Sequence, residues 1–179
     1  MDLVIRIMLS AVFVISAVGK IRTAEAWHGF RSSVDALDMI PPRLARAAAL
    51  AVVALEVVVA MSLAVPALST AGLAGSAALL MLFSAVIVQA MRAGRGVECR
   101  CFGRSDRPMG VPHLLRNAFL LLITACGAAV SSARAPYSAE LLVVGAPVGV
   151  AGAVLVASFV ELCSLFENSS PVSLKGRRR

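Results

Sequence analysis

Long apolar runs separated by short polar stretches set the pattern of this chain. Residues 3–19 are apolar except for Arg6, residues 44–65 are apolar except for Arg46 and Glu56, and residues 69–91 carry no charge at all. Two further runs, 112–132 and 141–164, follow a polar loop. Each is close to the roughly 20 predominantly apolar residues that a helix needs to cross a hydrocarbon core about 30 Å thick. Backbone groups in lipid must be satisfied internally, so such runs predict helices. Between the first two runs, Trp27, Phe30, Val34 and Leu37 recur at three- and four-residue spacing, which suggests an amphipathic helix at the membrane surface, with a plain connector as the alternative. Pro41 and Pro42 end that segment, and Pro66, Ser69, Thr70 and Gly72 mark a tight turn between the second and third runs. Pro112 suits the first turn of the fourth helix, and Gly145, Gly149 and Gly152 give the fifth a small-residue face for close helix approach. The expected fold is therefore all-α, a polytopic membrane bundle with a four-helix core and a fifth C-terminal span. One domain covers residues 1–168, and residues 169–179 form a basic tail.

Composition supports a lipid rather than an aqueous solvent. Of the 179 residues, 59% are hydrophobic and 15% charged, against about 25% charged in a soluble domain. The first run has the length of a signal peptide, but it begins with the acidic Asp2 and lacks a clear small-residue cleavage site, so it reads as a retained first helix. Arg6 would then snorkel from a helix end to the interface. A net charge of +7 raises the question of nucleic acid, yet the cations lie between apolar runs and at the C-terminus, not on one soluble face. No nucleic-acid partner is expected. Threading five spans puts fifteen Lys and Arg residues on one side, leaving Arg6 and Arg134 on the other. Cytoplasmic loops carry the excess of Lys and Arg, so the expected topology has the N-terminus outside and the loop after the third span and the C-terminus in the cytoplasm.

Chemistry gathers in that loop, residues 92–111. Cys99 and Cys101 flank Arg100, and thiols two residues apart can close a small, strained disulfide ring that is easily reduced again. Arg100 and Arg104, with Arg95 and Arg107, would stabilise a thiolate, the form that attacks disulfides and binds metals; Glu98 partly opposes them. An inert pair of loop cysteines is the bland alternative. Cys163 returns to the same membrane side as the pair, whereas Cys126 lies nearer the other side and reads as a small apolar packing residue. Glu56, in mid-span, should face the bundle interior, either as a functional carboxyl or as a neutral or paired packing group. His113, opening the fourth span beside the loop, is a candidate proton donor or metal ligand, or simply a solvated interface residue. Phosphate-binding loops, H-E-x-x-H helices and paired carboxylates are missing from the sequence, which gives hydrolysis and nucleotide chemistry no support.

Taken together, Cys99-Arg100-Cys101-Phe102-Gly103, followed by His113-Leu114-Leu115-Arg116-Asn117 at the head of an apolar helix, resembles the methylamine utilisation MauE family, whose wider relatives include DoxX-type membrane proteins. The first span ending in Gly19-Lys20, the loop with Pro41, and Glu56 inside the second span fit the same pattern. The resemblance implies a membrane protein of methylamine metabolism that acts with a separate thioredoxin-like redox protein. Its client would be a disulfide-rich exported protein, the small subunit of methylamine dehydrogenase. Cys99 and Cys101 would then be the catalytic pair of a thiol–disulfide oxidoreductase needing no cofactor, with Arg116 and Asn117 shaping the loop. Two other readings stand beside this thiol–disulfide relay. One is a metal-binding or metal-transporting protein using the same thiolates, with Cys163 and His113 as further candidate ligands. The other is an assembly factor without redox activity.

Overall fold

A computed structural model describes residues 2–37, 40–94, 110–130 and 145–158. All of these segments are helix or short connection. They form α1 (Asp2–Ile21), α2 (Ala24–Ala36), α3 (Pro42–Ala64), a 3-10 turn (Pro66–Leu68), α4 (Ser69–Arg92), α5 (Val111–Val130) and α6 (Gly145–Ser158). Helices α1, α3, α4 with its leading turn, and α5 are each long and apolar enough to cross a membrane, and α6 is a shorter apolar helix. The protein is a multi-pass membrane helical bundle.

Chain direction follows from the contacts. Arg6 and Lys20 of α1 meet Leu63 and Glu56 of α3, so these two helices run antiparallel. Asn117 reaches Ser84 while Gly127 lies against Leu73, which makes α4 and α5 antiparallel as well. Successive α6 glycines, Gly145, Gly149 and Gly152, lie against Val4, Ile7 and Met8 in ascending order. Helix α6 is therefore parallel to α1, and its small residues let it approach closely, as their spacing predicts. One end of the bundle holds Asp2, the Pro66–Leu68 turn, Val130 and Gly145. The other holds Ile21, α2, Pro42, Arg92 and Val111, and α6 points toward it.

Each span buries one stripe at helical spacing and turns the rest toward lipid. In α1 the buried stripe runs Leu3, Arg6, Leu9, Val12, Phe13, Ser16, Ala17 and Lys20, and in α5 it runs His113, Arg116, Asn117, Leu120, Thr124 and Gly127. Leu9, Phe13, Leu63, Leu80, Leu120 and Ala153 meet at the centre. Large apolar residues such as Val58, Met61, Leu122 and Leu155 are exposed, which suits contact with acyl chains and would be an aggregation hazard in water. Helix α2 is the amphipathic element. Its Phe30 is buried with Ala17, Ala49 and Val53, with Trp27 and Val34 beside them, so it packs onto α1 and α3. The Thr23 hydroxyl oxygen accepts the Ala26 N–H at 3.1 Å and caps the helix. Thr23→Ala is expected to loosen α2 by about 1 kcal/mol. Faster proteolysis or amide exchange confined to α2 would report it.

Arg6 and Cys126 depart from the expectations drawn from sequence. Arg6 does not snorkel: it is buried, donates from Nε and Nη2 to the Leu63 carbonyl at 2.9 and 2.7 Å, and lies 3.8 Å from Asp2. A carbonyl near the end of a helix has no partner within that helix, so it can satisfy a buried guanidinium. Cys126 is not a packing residue, because it is exposed on the outer face of α5.

Candidate functional site

Below the end of the bundle that carries α2 lies a buried polar centre built by four spans. Glu56 is fully enclosed, as is Lys20 across from it. Lys20 Nζ donates to both Glu56 oxygens, at 2.7 and 2.9 Å, and to Ser16 Oγ at 2.6 Å. The Ser16 hydroxyl in turn donates to Glu56 Oε1 at 2.8 Å. The ammonium lies 5.3 Å from the centre of the Phe30 ring and 5.9 Å from that of Phe83, so rings from α2 and α4 cover its remaining side. Cation–π attraction gains strength where water is excluded. The arrangement gives each charge an opposite charge and hydrogen bonds, the conditions under which a buried pair is tolerated.

The α5 motif lies on the same half of the bundle. His113, Arg116 and Asn117 are all buried, on the inward stripe that continues through Leu120. His113 is therefore not a solvated interface residue; it is only 4% exposed, and among the described residues its Nδ1 has no hydrogen-bond partner. Arg116 lies close enough for its charge to act on both Glu56 and His113, and its Nη2 donates to Asn117 Oδ1 at 3.5 Å. Asn117 Nδ2 reaches Ser84 Oγ at 3.4 Å, and Ser84 donates to the Leu80 carbonyl at 2.7 Å. Polar side chains of α1, α3, α4 and α5 thus converge under one end of the bundle.

Of the residues singled out from sequence, the structure brings Glu56, His113, Arg116 and Asn117 to this centre. Cys99, Arg100, Cys101, Arg104 and Cys163 lie outside the described residues. The helix ends that bound the cysteine loop, Arg92 and Val111, are at the end above the polar centre. Sequence reasoning missed Lys20 and Ser16 by treating Lys20 as a loop charge. The signal was present: Leu9, Val12, Phe13, Ser16 and Lys20 share one three-four spacing, so the lysine lies on the buried stripe of α1. Among the described residues, no group of three His, Cys, Asp or Glu side chains could hold a metal ion.

Residues 1–131, which run from α1 to the residue after α5, match the family described as methylamine utilisation protein MauE. The chain belongs to the MauE family. The methylamine utilization protein MauE of Paracoccus denitrificans is 30% identical over 130 residues, 72% of this chain and 67% of that protein. No solved structure matches. The MauE match takes in the buried polar centre and the cysteine loop, and it stops short of α6.

Proposed function

We propose that this chain serves methylamine utilisation as a membrane partner in thiol–disulfide exchange, with Cys99 and Cys101 as the exchanging pair. A thioredoxin-like protein on a separate chain is its redox partner. The client is a disulfide-rich exported protein such as the small subunit of methylamine dehydrogenase. One observation carries the reading: two thiols separated by a single residue, among four nearby arginines, in a loop tethered above a buried polar centre. A thiolate of the pair attacks the partner's disulfide, a mixed disulfide forms, and the second thiol resolves it. Cys99 and Cys101 end bridged, and the partner leaves as a dithiol carrying the electron pair and two protons. Arg100 and Arg104 favour the attacking thiolate, while Arg116, Asn117 and His113 hold the head of α5 beneath the loop.

Orientation is part of the proposal. Arg6, Lys20 and Arg116 are buried in the bundle, so they drop out of the loop charges. Thirteen cations then remain on the cysteine-loop side against one on the other. The excess supports a cytoplasmic loop and C-terminus with the N-terminus outside.

Mass spectrometry after quenched alkylation tests the exchange. The loop peptide is expected to take up two alkyl groups when reduced and none when oxidised, reversibly. Client maturation is expected to fall to background in Cys99→Ser/Cys101→Ser. Wild-type maturation by that double variant would overturn the reading, as would a stoichiometric bound metal with no reversible oxidation. In the same assay, Arg100→Gln/Arg104→Gln is expected to slow alkylation severalfold near neutral pH, because the thiolate loses its counter-charges.

A further inference from the structure

The lipid-facing surface of the bundle is apolar through its middle and changes character at one end. Along α3 the exposed Met61, Val58, Val57 and Leu50 line one side of the helix, and the same three- and four-residue spacing carries that side on to exposed Arg46 and Arg43. Helix α4 repeats the pattern: Met81, Leu82, Ala85 and Gln89 are exposed, and the stripe ends in exposed Arg92. On α1 the exposed Val14, Val18 and Ile21 lead to exposed Arg22, whose backbone N–H still donates to the Val18 carbonyl. Three spans thus finish their lipid-facing stripes in arginine, all at the end that carries α2. At the opposite end the described residues offer no exposed cation, since Arg6 is buried there.

The height of these arginines suits lipid headgroups. At 1.5 Å per residue, Arg46 is about 27 Å along α3 from Ala64, Arg92 about 34 Å along α4 from Ser69, and Arg22 about 30 Å from Asp2. A hydrocarbon core is about 30 Å thick, so stripes of this length leave the guanidinium groups near the phosphates, with Arg43 one turn further out. Among the described residues, none of the four guanidinium groups makes a hydrogen bond or ion pair. The exposed carboxylates at this end, Glu25 and Asp35, are on α2 with exposed Arg31, and neither interrupts the stripes of α1, α3 or α4. A planar guanidinium presents its donors as a fork, which a phosphate matches with two parallel hydrogen bonds.

We infer that this end of the bundle binds anionic phospholipid: the headgroup phosphates take Arg22, Arg43, Arg46 and Arg92, and the acyl chains lie along the exposed apolar stripes that lead to them. Loop cations set which way a chain threads. These arginines instead continue the helix faces that lipid touches, so they select the lipid. A zwitterionic headgroup also carries a phosphate, but its own amine offsets the attraction, and net negative charge therefore decides. Each cation near the membrane surface adds about fivefold in affinity for anionic lipid.

Native mass spectrometry of the full-length protein in detergent, titrated with phosphatidylglycerol or phosphatidylcholine of the same acyl chains, tests this. The anionic lipid is expected to be retained at a concentration lower by about fivefold or more. Replacing all four arginines with glutamine is expected to bring the two lipids level, whereas replacing them with lysine keeps the charges and should keep most of the preference. Trp27, the one tryptophan of the chain, lies on α2 where that helix packs onto α1 and α3. In vesicles, brominated phosphatidylglycerol should quench it more strongly than brominated phosphatidylcholine, and high salt should narrow the difference by screening the charges. Equal retention of the two lipids by the wild-type protein would overturn the inference. So would a preference that survives the glutamine replacements, or one that the lysine replacements abolish. A glutamine variant that fails to accumulate leaves the decision to the wild-type protein, in which a preference unmoved by high salt would overturn the inference.

Discussion

Replacing Glu56 with alanine is expected to destabilise the bundle by about 3–5 kcal/mol, the typical cost of removing one member of a buried ion pair. Lys20 is fully enclosed by Glu56, Ser16, Phe30 and Phe83, so its ammonium would be left in a low-dielectric interior without a counter-charge. Glu56→Gln should cost less, because an amide oxygen still accepts from Lys20 while the Coulombic attraction is lost. Glu56→Lys sets two cations at one buried point and should keep the protein from accumulating in the membrane. The informative variant is Lys20→Met/Glu56→Met, which removes both charges and fills the space with apolar atoms. A buried pair replaced in this way is often neutral or stabilising. Thermal aggregation of the detergent-solubilised protein, with membrane abundance alongside, should rank the variants as double Met above Gln above Ala above Lys. A double variant no better than Glu56→Ala would show that the pair does more than neutralise itself.

Substitution of Gly72 is expected to have the next largest effect. A Cβ there would lie 2.8 Å from the Leu63 amide nitrogen and 3.0 Å from the Ser62 carbonyl carbon, both backbone atoms of α3. Backbone cannot move aside as a side-chain tip can. Gly72→Val should therefore push α4 from α3 at a cost of about 1–3 kcal/mol. The same displacement disturbs the Leu63 carbonyl that receives Arg6, so the damage reaches α1. Gly75→Ala is the matched control: its Cβ meets only a methyl of Val59, at 2.9 Å, which a rotamer change can relieve. Thermal stability near wild type for Gly72→Val would mean that α4 can move away from α3 at little cost.

Much of this protein was legible in its sequence because lipid leaves the backbone few options. Runs of about 20 apolar residues had to be helices, and their number and order gave the all-α membrane bundle. Glu56 had to face inward, since an ionised carboxyl in acyl chains is too costly, and the glycines of α6 marked a close helix contact before its partner was known. The Cys99-Arg100-Cys101 loop and the His113 to Asn117 motif were enough to suggest the MauE family.

Tertiary structure decided what hydropathy cannot express, namely which helices adjoin and at what height. Sequence put Arg6 and Lys20 at helix ends, where a long side chain normally reaches water. Packing instead turned the stripe that carries them toward α3, where a terminal carbonyl receives one and a carboxylate the other. Cys126 went the opposite way, because its place on the helix circumference, set by α5 packing against α4 and α1, turned a small apolar residue toward lipid. The direction of α6 was also set by contact, through the ascending fit of its glycines along α1. Apolar periodicity fixes that a helix has a buried side. Only the neighbouring helix determines which polar groups on that side find a partner.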